Sequence, residues 1–223
     1  MDFGILYIVA TPIGNYRDIT LRAVDILREA DAVVCEERRQ GSTLLKKLDI
    51  PRKELLELNE HNEAEQTPLL LSKLQSGLSL ALISDCGTPA FADPGTMLIS
   101  QALESGIRVV PIPGPSSLMA ALSISPLPLT DFIFAGFIPR KDKERRSKLQ
   151  YLRTLKVPVV LMDTPYRLQR LLEDVKVVFG KQCRITLALN LTISDERIYH
   201  GSVHEVIQRM KQRKGEFVLI VHR

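Results

Sequence analysis

Tryptophan is absent from this 223-residue chain, aromatic residues make up only 5%, and there are three cysteines. Cys35, Cys86 and Cys183 are an odd, scattered set without a CxxC pair, which argues against a disulfide framework and against a zinc knuckle. His200 and His204 stand four residues apart, but Gly201-Ser202 between them reads as a break before a helix, so they share no helical face and no metal is expected. No apolar run approaches the roughly 20 residues that a membrane-spanning helix needs, and Met1-Asp2-Phe3-Gly4 leads into a strand without a basic n-region. A cytoplasmic protein that does not engage membranes is expected. Also missing are the G-x-G-x-x-G of dinucleotide binders and the G-x-x-x-x-G-K-[ST] of phosphate-binding NTPases, which leaves some other adenosine-like ligand as the question.

What is present suits a globular chain with a real core: 45% apolar and 25% charged residues. The net charge of +4 is unevenly spread. Residues 1–125 hold 11 Lys+Arg against 16 Asp+Glu, a balance of −5, whereas residues 126–223 hold 19 against 10, a balance of +9. An acidic front and a basic back point to two lobes with different tasks, the basic one suited to a polyanion. The Pro-rich stretch Ser125-Pro126-Leu127-Pro128-Leu129 reads as a linker, dividing an N-terminal α/β domain over 1–124 from a C-terminal α/β domain over 130–223.

Within the first domain, apolar runs at 5–9, 32–35, 54–58, 80–83 and 109–112 read as strands with mostly parallel pairing. Helices are expected over about 20–30, with Leu21, Val24, Ile26 and Leu27 inward, from Thr67-Pro68 to about Gln75, and over about 94–103. The second domain shows strands at 132–137, 159–162, 184–189, 197–201 and 216–221. Its helices are expected after the basic segment that ends at Lys148, reaching about Leu155, from Thr164-Pro165 to about 178, and from the capping box Ser202-x-x-Glu205 to about 214.

The longest loop, Ser84-Asp85-Cys86-Gly87-Thr88-Pro89-Ala90-Phe91-Ala92-Asp93-Pro94-Gly95, follows a buried-strand pattern and exceeds the two to six residues of a simple strand-to-helix turn. It lies at the carboxyl edge of a sheet, where open α/β sheets hold ligands, with Asp93-Pro94 expected to cap the next helix. Glu36-Glu37-Arg38-Arg39 and Asn59-Glu60-His61-Asn62-Glu63 fall on the same edge. Pro113-Gly114-Pro115-Ser116-Ser117 makes an abrupt turn into a helix N-terminus, a corner suited to the carboxylate of an amino-acid-like ligand. The densest basic segment is Arg140-Lys141-Asp142-Lys143-Glu144-Arg145-Arg146-Ser147-Lys148, read as a phosphate-contacting surface.

Together, Ile8-Val9-Ala10-Thr11-Pro12-Ile13-Gly14-Asn15, Glu36-Glu37-Arg38-Arg39, His61-Asn62-Glu63, the 84–95 loop, Pro113-Gly114-Pro115, Gly136-Phe137-Ile138-Pro139-Arg140 and Arg213-Lys214-Gly215-Glu216 run in order along nearly the whole chain. This set resembles the bacterial small-subunit (16S) rRNA (cytidine-2′-O-)methyltransferase group of the tetrapyrrole-methylase-like, or class III, S-adenosylmethionine-dependent methyltransferases. The resemblance implies a two-domain α/β fold, each domain a mixed sheet flanked by helices, with S-adenosyl-L-methionine in the interdomain cleft and a homodimeric assembly. By motif position, the cofactor would touch Pro12, Cys86, Gly87, Thr88, Phe91, Ser116, Ser117, Met162 and Leu191. The chain departs from the family at Glu37 and Arg38, where Asp and Thr are usual, and at Asp163 and Tyr166, where Glu and His are usual. It also carries Leu189, Asn190 and Ile193 where three charged residues are common, and stops without the C-terminal helical extension of several members.

The function implied is 2′-O-methylation of a ribose in small-subunit rRNA or the 30S particle. A ribose hydroxyl is a poor nucleophile until a base takes its proton, and Asp85, Glu36 and His61, in that order, are the candidates. Arg39 with Arg140, Lys141, Lys143, Arg145 and Arg146 would hold phosphates. Two alternatives stand beside this: a methyltransferase of the same fold acting on a tetrapyrrole-like small molecule, and a catalytically weakened cofactor- and RNA-binding assembly factor.

Overall fold

A computed structural model describes residues 3–91, 93–211 and 214–223. Arg213 of the last motif and Ala92 of the long loop lie outside the described residues. The chain divides into two compact units, Met1–Ser116 and Ser117–Arg223.

The first unit runs β1 (Ile5–Val9), α1 (Leu21–Glu29), β2 (Ala32–Cys35), α2 (Arg38–Lys47), β3 (Glu54–Glu57), α3 (Glu63–Gln75), β4 (Leu80–Ile83), α4 (Thr96–Glu104) and β5 (Arg108–Ile112). Its sheet has the order β3-β2-β4-β1-β5 with every pairing parallel, so the mixed sheet implied by the resemblance is confined to the second unit. Side chains alternate between faces with the strand period of two. Val9, Val33, Cys35, Ala81 and Ile83 pack under α1 and α2, whereas Leu6, Ala32, Val34, Leu80 and Leu82 pack under α3 and α4. The connections leaving β1 and β2 therefore turn to one face and the connection leaving β4 turns to the other. β4 lies between β1 and β2, so its outgoing loop sits at the point where the topology reverses, the favoured ligand position in such sheets.

Three local expectations are corrected. Helix α2 was not anticipated: Gly41 sits in its middle, and a Cβ there would come within 3.0 Å of the Cys35 sulfur, so glycine lets the helix lie close on β2. Helix α3 begins at Glu63, which leaves Pro68 inside it instead of at its start. Leu21, expected inward, is 85% exposed; the inner face of α1 is built from Ala23 and Leu27, with the expected Val24 and Ile26 packed half-buried beside them.

The second unit comprises α5 (Ser117–Ser123), β6 (Ile133–Gly136), α6 (Asp142–Thr154), β7 (Val159–Asp163), α7 (Leu168–Phe179), β8 (Arg184–Leu189), β9 (Arg197–Ser202), α8 (Val203–Arg209) and β10 (Phe217–Val221). Its sheet, β6-β7-β10-β8-β9, pairs β6 with β7 in parallel and the others antiparallel. Helices α6, α7 and α8 cover one face. Ala121 of α5 packs on the other, against Val160, Ala188, Val218 and Ile220, which is why α5 belongs with this unit although the sequence places the linker at 125–129. The capping box is present, Ser202 accepting from the Glu205 amide, but α8 stops at Arg209, short of the expected end. Among the described residues, no helix is long and apolar enough to cross a membrane.

Candidate active site

Three loops leave the carboxyl ends of the adjacent strands β4, β1 and β5 and are tied to one another. The buried Thr11 hydroxyl donates to the Ser84 carbonyl at 2.9 Å, and the Thr11 amide donates to the Gly87 carbonyl at 2.8 Å. The Ser84 hydroxyl accepts from the Cys86 amide at 3.0 Å, folding the start of the long loop on itself. Thr88 donates to the Pro115 carbonyl at 3.5 Å. Close approach explains the glycines: a Cβ on Gly114 would stand 3.1 Å from that of Ala10, and Gly87 has a left-handed φ of 87° with Ile13 3.3 Å from where its Cβ would be. The result is a cradle with Pro12 and Gly87 buried and Cys86, Thr88 and Phe91 exposed at its lip. A pocket of about 150 Å³ opens between the β1 and β4 loops, lined by Thr11, Pro12, Ile13, Ser84, Asp85 and Cys86 among others. That is below the roughly 300 Å³ at which ligand pockets begin. Ser116 ends this unit and Ser117 opens α5 in the next.

Beside the cradle lies an acidic basin of about 520 Å³. Glu36 and Glu37 reach it from β2, Glu57, Asn59, Glu60 and His61 from the end of β3, and Asp85 and Asp93 from the long loop. The structure thus brings all three sequence-selected bases into one cavity. Their environments differ. Burial, then the Asp93 and Asp85 carboxylates, push the Glu36 carboxyl up from 4.5 to about 7. Asp85 is also raised, by burial first and then by Glu37 and Asp93. The His61 side chain is 86% exposed and stands 3.5 Å from Glu60. A carboxyl poised near neutrality is matched to taking a proton at physiological pH, which favours Glu36 over the order read from the sequence.

Sequence reasoning missed the residue that sets the far end of the loop. The N-cap of α4 is Gly95, with a φ of 118° and no side chain to cap the helix, and the expected Asp93 cap does not form. Instead Glu63, at the first position of α3, accepts from the Gly95 and Met97 amides at 2.8 and 3.0 Å. A carboxylate there satisfies two orphan donors at the positive end of the helix. A capping group supplied by another helix leaves no local signature.

In the second unit, Met162 and Leu191 are half-buried in the apolar patch around α5. Next to Met162, the Asp163 side chain pairs with Arg167 at 2.9 Å and takes the Thr164 amide at 2.8 Å, while its second oxygen is buried with no hydrogen-bond partner among the described residues; burial raises its carboxyl. Asn190, with a left-handed φ of 51°, donates to Asp195 at 2.7 Å across the loop after β8.

The basic helix corrects one assignment. Arg145, expected on phosphates, is 2% exposed. Its guanidinium donates at 2.7 Å to Asp174, to Asp142 and to the Arg140 carbonyl, so it locks α6 to α7 instead. Its spacing gave it away: Arg145, Leu149 and Leu152 share the buried helical stripe. Arg140, Lys141, Lys143 and Arg146 remain exposed, Arg146 also bonding Asp174 and Lys141 pairing with Glu144 at 3.3 Å.

Comparison with known proteins agrees with this architecture. The chain is 41% identical over 222 residues to the ribosomal RNA small subunit methyltransferase I of Vibrio cholerae serotype O1, covering 98% of this chain and 77% of the relative. It is likewise 41% identical to the protein of the same name from Escherichia coli O157:H7, with the same shares covered. The crystal structure of diphthine synthase matches with a TM-score of 0.78 at 16% identity, covering 98% of this chain and 90% of that one. Uroporphyrin-III-C-methyltransferase from Thermus thermophilus matches at 0.65 with 21% identity, covering 98% and 94%. These two share the fold. Residues 5–207 match the family Tetrapyrrole (Corrin/Porphyrin) Methylases, and with relatives matched over 98% of this chain, the chain belongs to that family.

Proposed function

We propose that this protein is an S-adenosylmethionine-dependent methyltransferase acting on small-subunit ribosomal RNA, at a ribose 2′-oxygen. The observation that carries the reading is a carboxyl held near neutrality, Glu36, in a basin beside the three-loop cradle. The relatives' names support the substrate class.

The cradle suits the cofactor. Gly87 and Gly114 stand where a Cβ would fill the space between its loops. Pro12, Cys86, Gly87, Thr88, Phe91 and Ser116 would hold it. When bound, S-adenosylmethionine supplies an electrophilic methyl group on a sulfonium. The chain's own residues do the rest. Glu36 accepts the ribose hydroxyl proton at a carboxylate oxygen, and Asp85 orients that hydroxyl. A positioned base contributes on the order of 10²–10⁴-fold, and alignment of the reacting atoms the larger share. Exposed cations of α6 and its approach, Arg140, Lys141, Lys143 and Arg146, hold phosphates.

The test is transfer of a radiolabelled methyl group to purified small subunits, compared with free rRNA and with a porphyrinoid, followed by nucleoside digestion. Label on a 2′-O-methyl nucleoside is expected. Label on the porphyrinoid alone makes this a small-molecule enzyme, and cofactor and RNA binding without transfer makes it an assembly factor.

A further inference from the structure

The first unit is net acidic, yet five of the 11 basic residues in 1–125 line one groove of about 890 Å³: Arg38, Arg39, Lys46, Arg52 and Lys53. Its floor is apolar, from the buried Leu45 and Ile50 and the half-buried Leu55. Lys53 is spent on structure, donating to the Arg28 and Ala30 carbonyls at the end of α1. The one acid of the lining, Glu54, is paired with Lys73 at 3.3 Å. Arg38 keeps a loose 3.7 Å contact with Glu57, and Arg39, Lys46 and Arg52 present exposed side chains.

Helix stability does not explain this placement. Arg38 and Arg39 occupy the first two positions of α2, where cations oppose the helix dipole, and among the described residues Glu37 makes no side-chain cap bond. Groove and basin adjoin: Glu36-Glu37 line the basin and Arg38-Arg39, next in sequence, line the groove, while Arg38 contacts the basin's Glu57.

We infer that this groove is a track for the RNA sugar-phosphate backbone, with Arg38, Arg39, Lys46 and Arg52 on successive phosphates leading the target ribose to the basin. The inference rests on the proposed RNA substrate. The two surfaces impose a register by charge. Phosphates are repelled by the carboxylates of the basin and drawn to the groove, so only the ribose hydroxyl edge enters beside Glu36. Apolar floor and guanidinium planes also suit unstacked nucleotides.

The test measures binding of a labelled single-stranded oligoribonucleotide against salt for the unaltered chain and for the triple variant Arg39→Gln, Lys46→Gln, Arg52→Gln. Melting and cofactor calorimetry verify that the variant is folded. Each lost phosphate contact removes about 0.7 from the slope of log affinity on log salt, so the slope should fall by about 2; across roughly 50 to 200 mM salt the variant loses about twentyfold less affinity than the parent. KM for small subunits should rise, and the lysine variant Arg39→Lys, Arg52→Lys should keep the parental slope. An unchanged slope in the glutamine variant overturns the groove while leaving the substrate reading intact. No RNA binding by the parent overturns both. Unchanged RNA binding with activity lost only on assembled particles assigns the groove to an acidic protein and overturns the RNA track.

Discussion

Removing the charge of Asp93 should move the pH dependence of methyl transfer to lower pH. Glu36 is raised from 4.5 to about 7, and after burial the largest contribution is the Asp93 carboxylate. A displacement of that size corresponds to about 3 kcal/mol against the ionised form before water entering the basin screens it. Replacing Asp93 by Asn keeps side-chain volume and deletes the repulsion, so the midpoint should fall by on the order of half a unit to one unit. Below the midpoint the deprotonated fraction, and with it the rate, then rises about 3- to 10-fold. The assay is kcat/KM for methyl transfer from pH 5.5 to 9, which reads the free enzyme. Stability gives a second readout. A carboxyl raised on folding costs nothing below its unfolded pKa, and the native state loses stability as pH climbs from 4.5 through about 7. Asp93→Asn should therefore be more stable than the parent at pH 8 by about 1 kcal/mol and indistinguishable near pH 4. A midpoint that stays put or rises refutes Glu36 as the group seen.

Asp85→Asn should abolish methyl transfer while cofactor affinity, by calorimetry, stays within a few-fold; full activity in a radiolabel assay removes Asp85 from the mechanism. Glu63→Ala strips two helix-end amides of their acceptor and should cost about 1–2 kcal/mol, lowering the melting temperature by roughly 2–8 °C, with Glu63→Gln milder. Gly95→Ala meets Leu82 at 2.7 Å in a left-handed backbone and should lose about 1–3 kcal/mol in a denaturant titration. Asp174→Ala leaves the buried Arg145 short of its main counter-charge and should cost about 3–5 kcal/mol in the same titration, whereas exposed Lys143→Ala should change little.

The central strands were legible because they are buried on both faces and read as apolar runs: Ala32–Cys35 and Leu80–Ile83 fall where the sequence puts them, as does Ile5–Val9. Helices were less so where tertiary contact overrode local pattern. Gly41 breaks the helical signal of α2 because β2 demands closeness, and Thr67-Pro68 mimics a start that Asn62 and Glu63 make one turn earlier. The gathering of the basin's polar residues was legible, but their burial was not. Asp85, Glu36 and His61 were visible as polar residues at strand ends, whereas the order among them depends on burial and on Asp93, which no spacing reveals. Likewise a basic run shows how many cations a helix carries, not which one faces inward.

The sequestered guanidinium of Arg145 has an evolutionary corollary. Since Arg145 and its carboxylate partners, with Arg146 and the buried Leu149 and Leu152, hold α6 to α7, outward cations such as Lys143 and Lys148 on the same helix are not needed for that contact. Lineages can therefore retune the outer rim toward new polyanions, one residue at a time, without paying in foldedness.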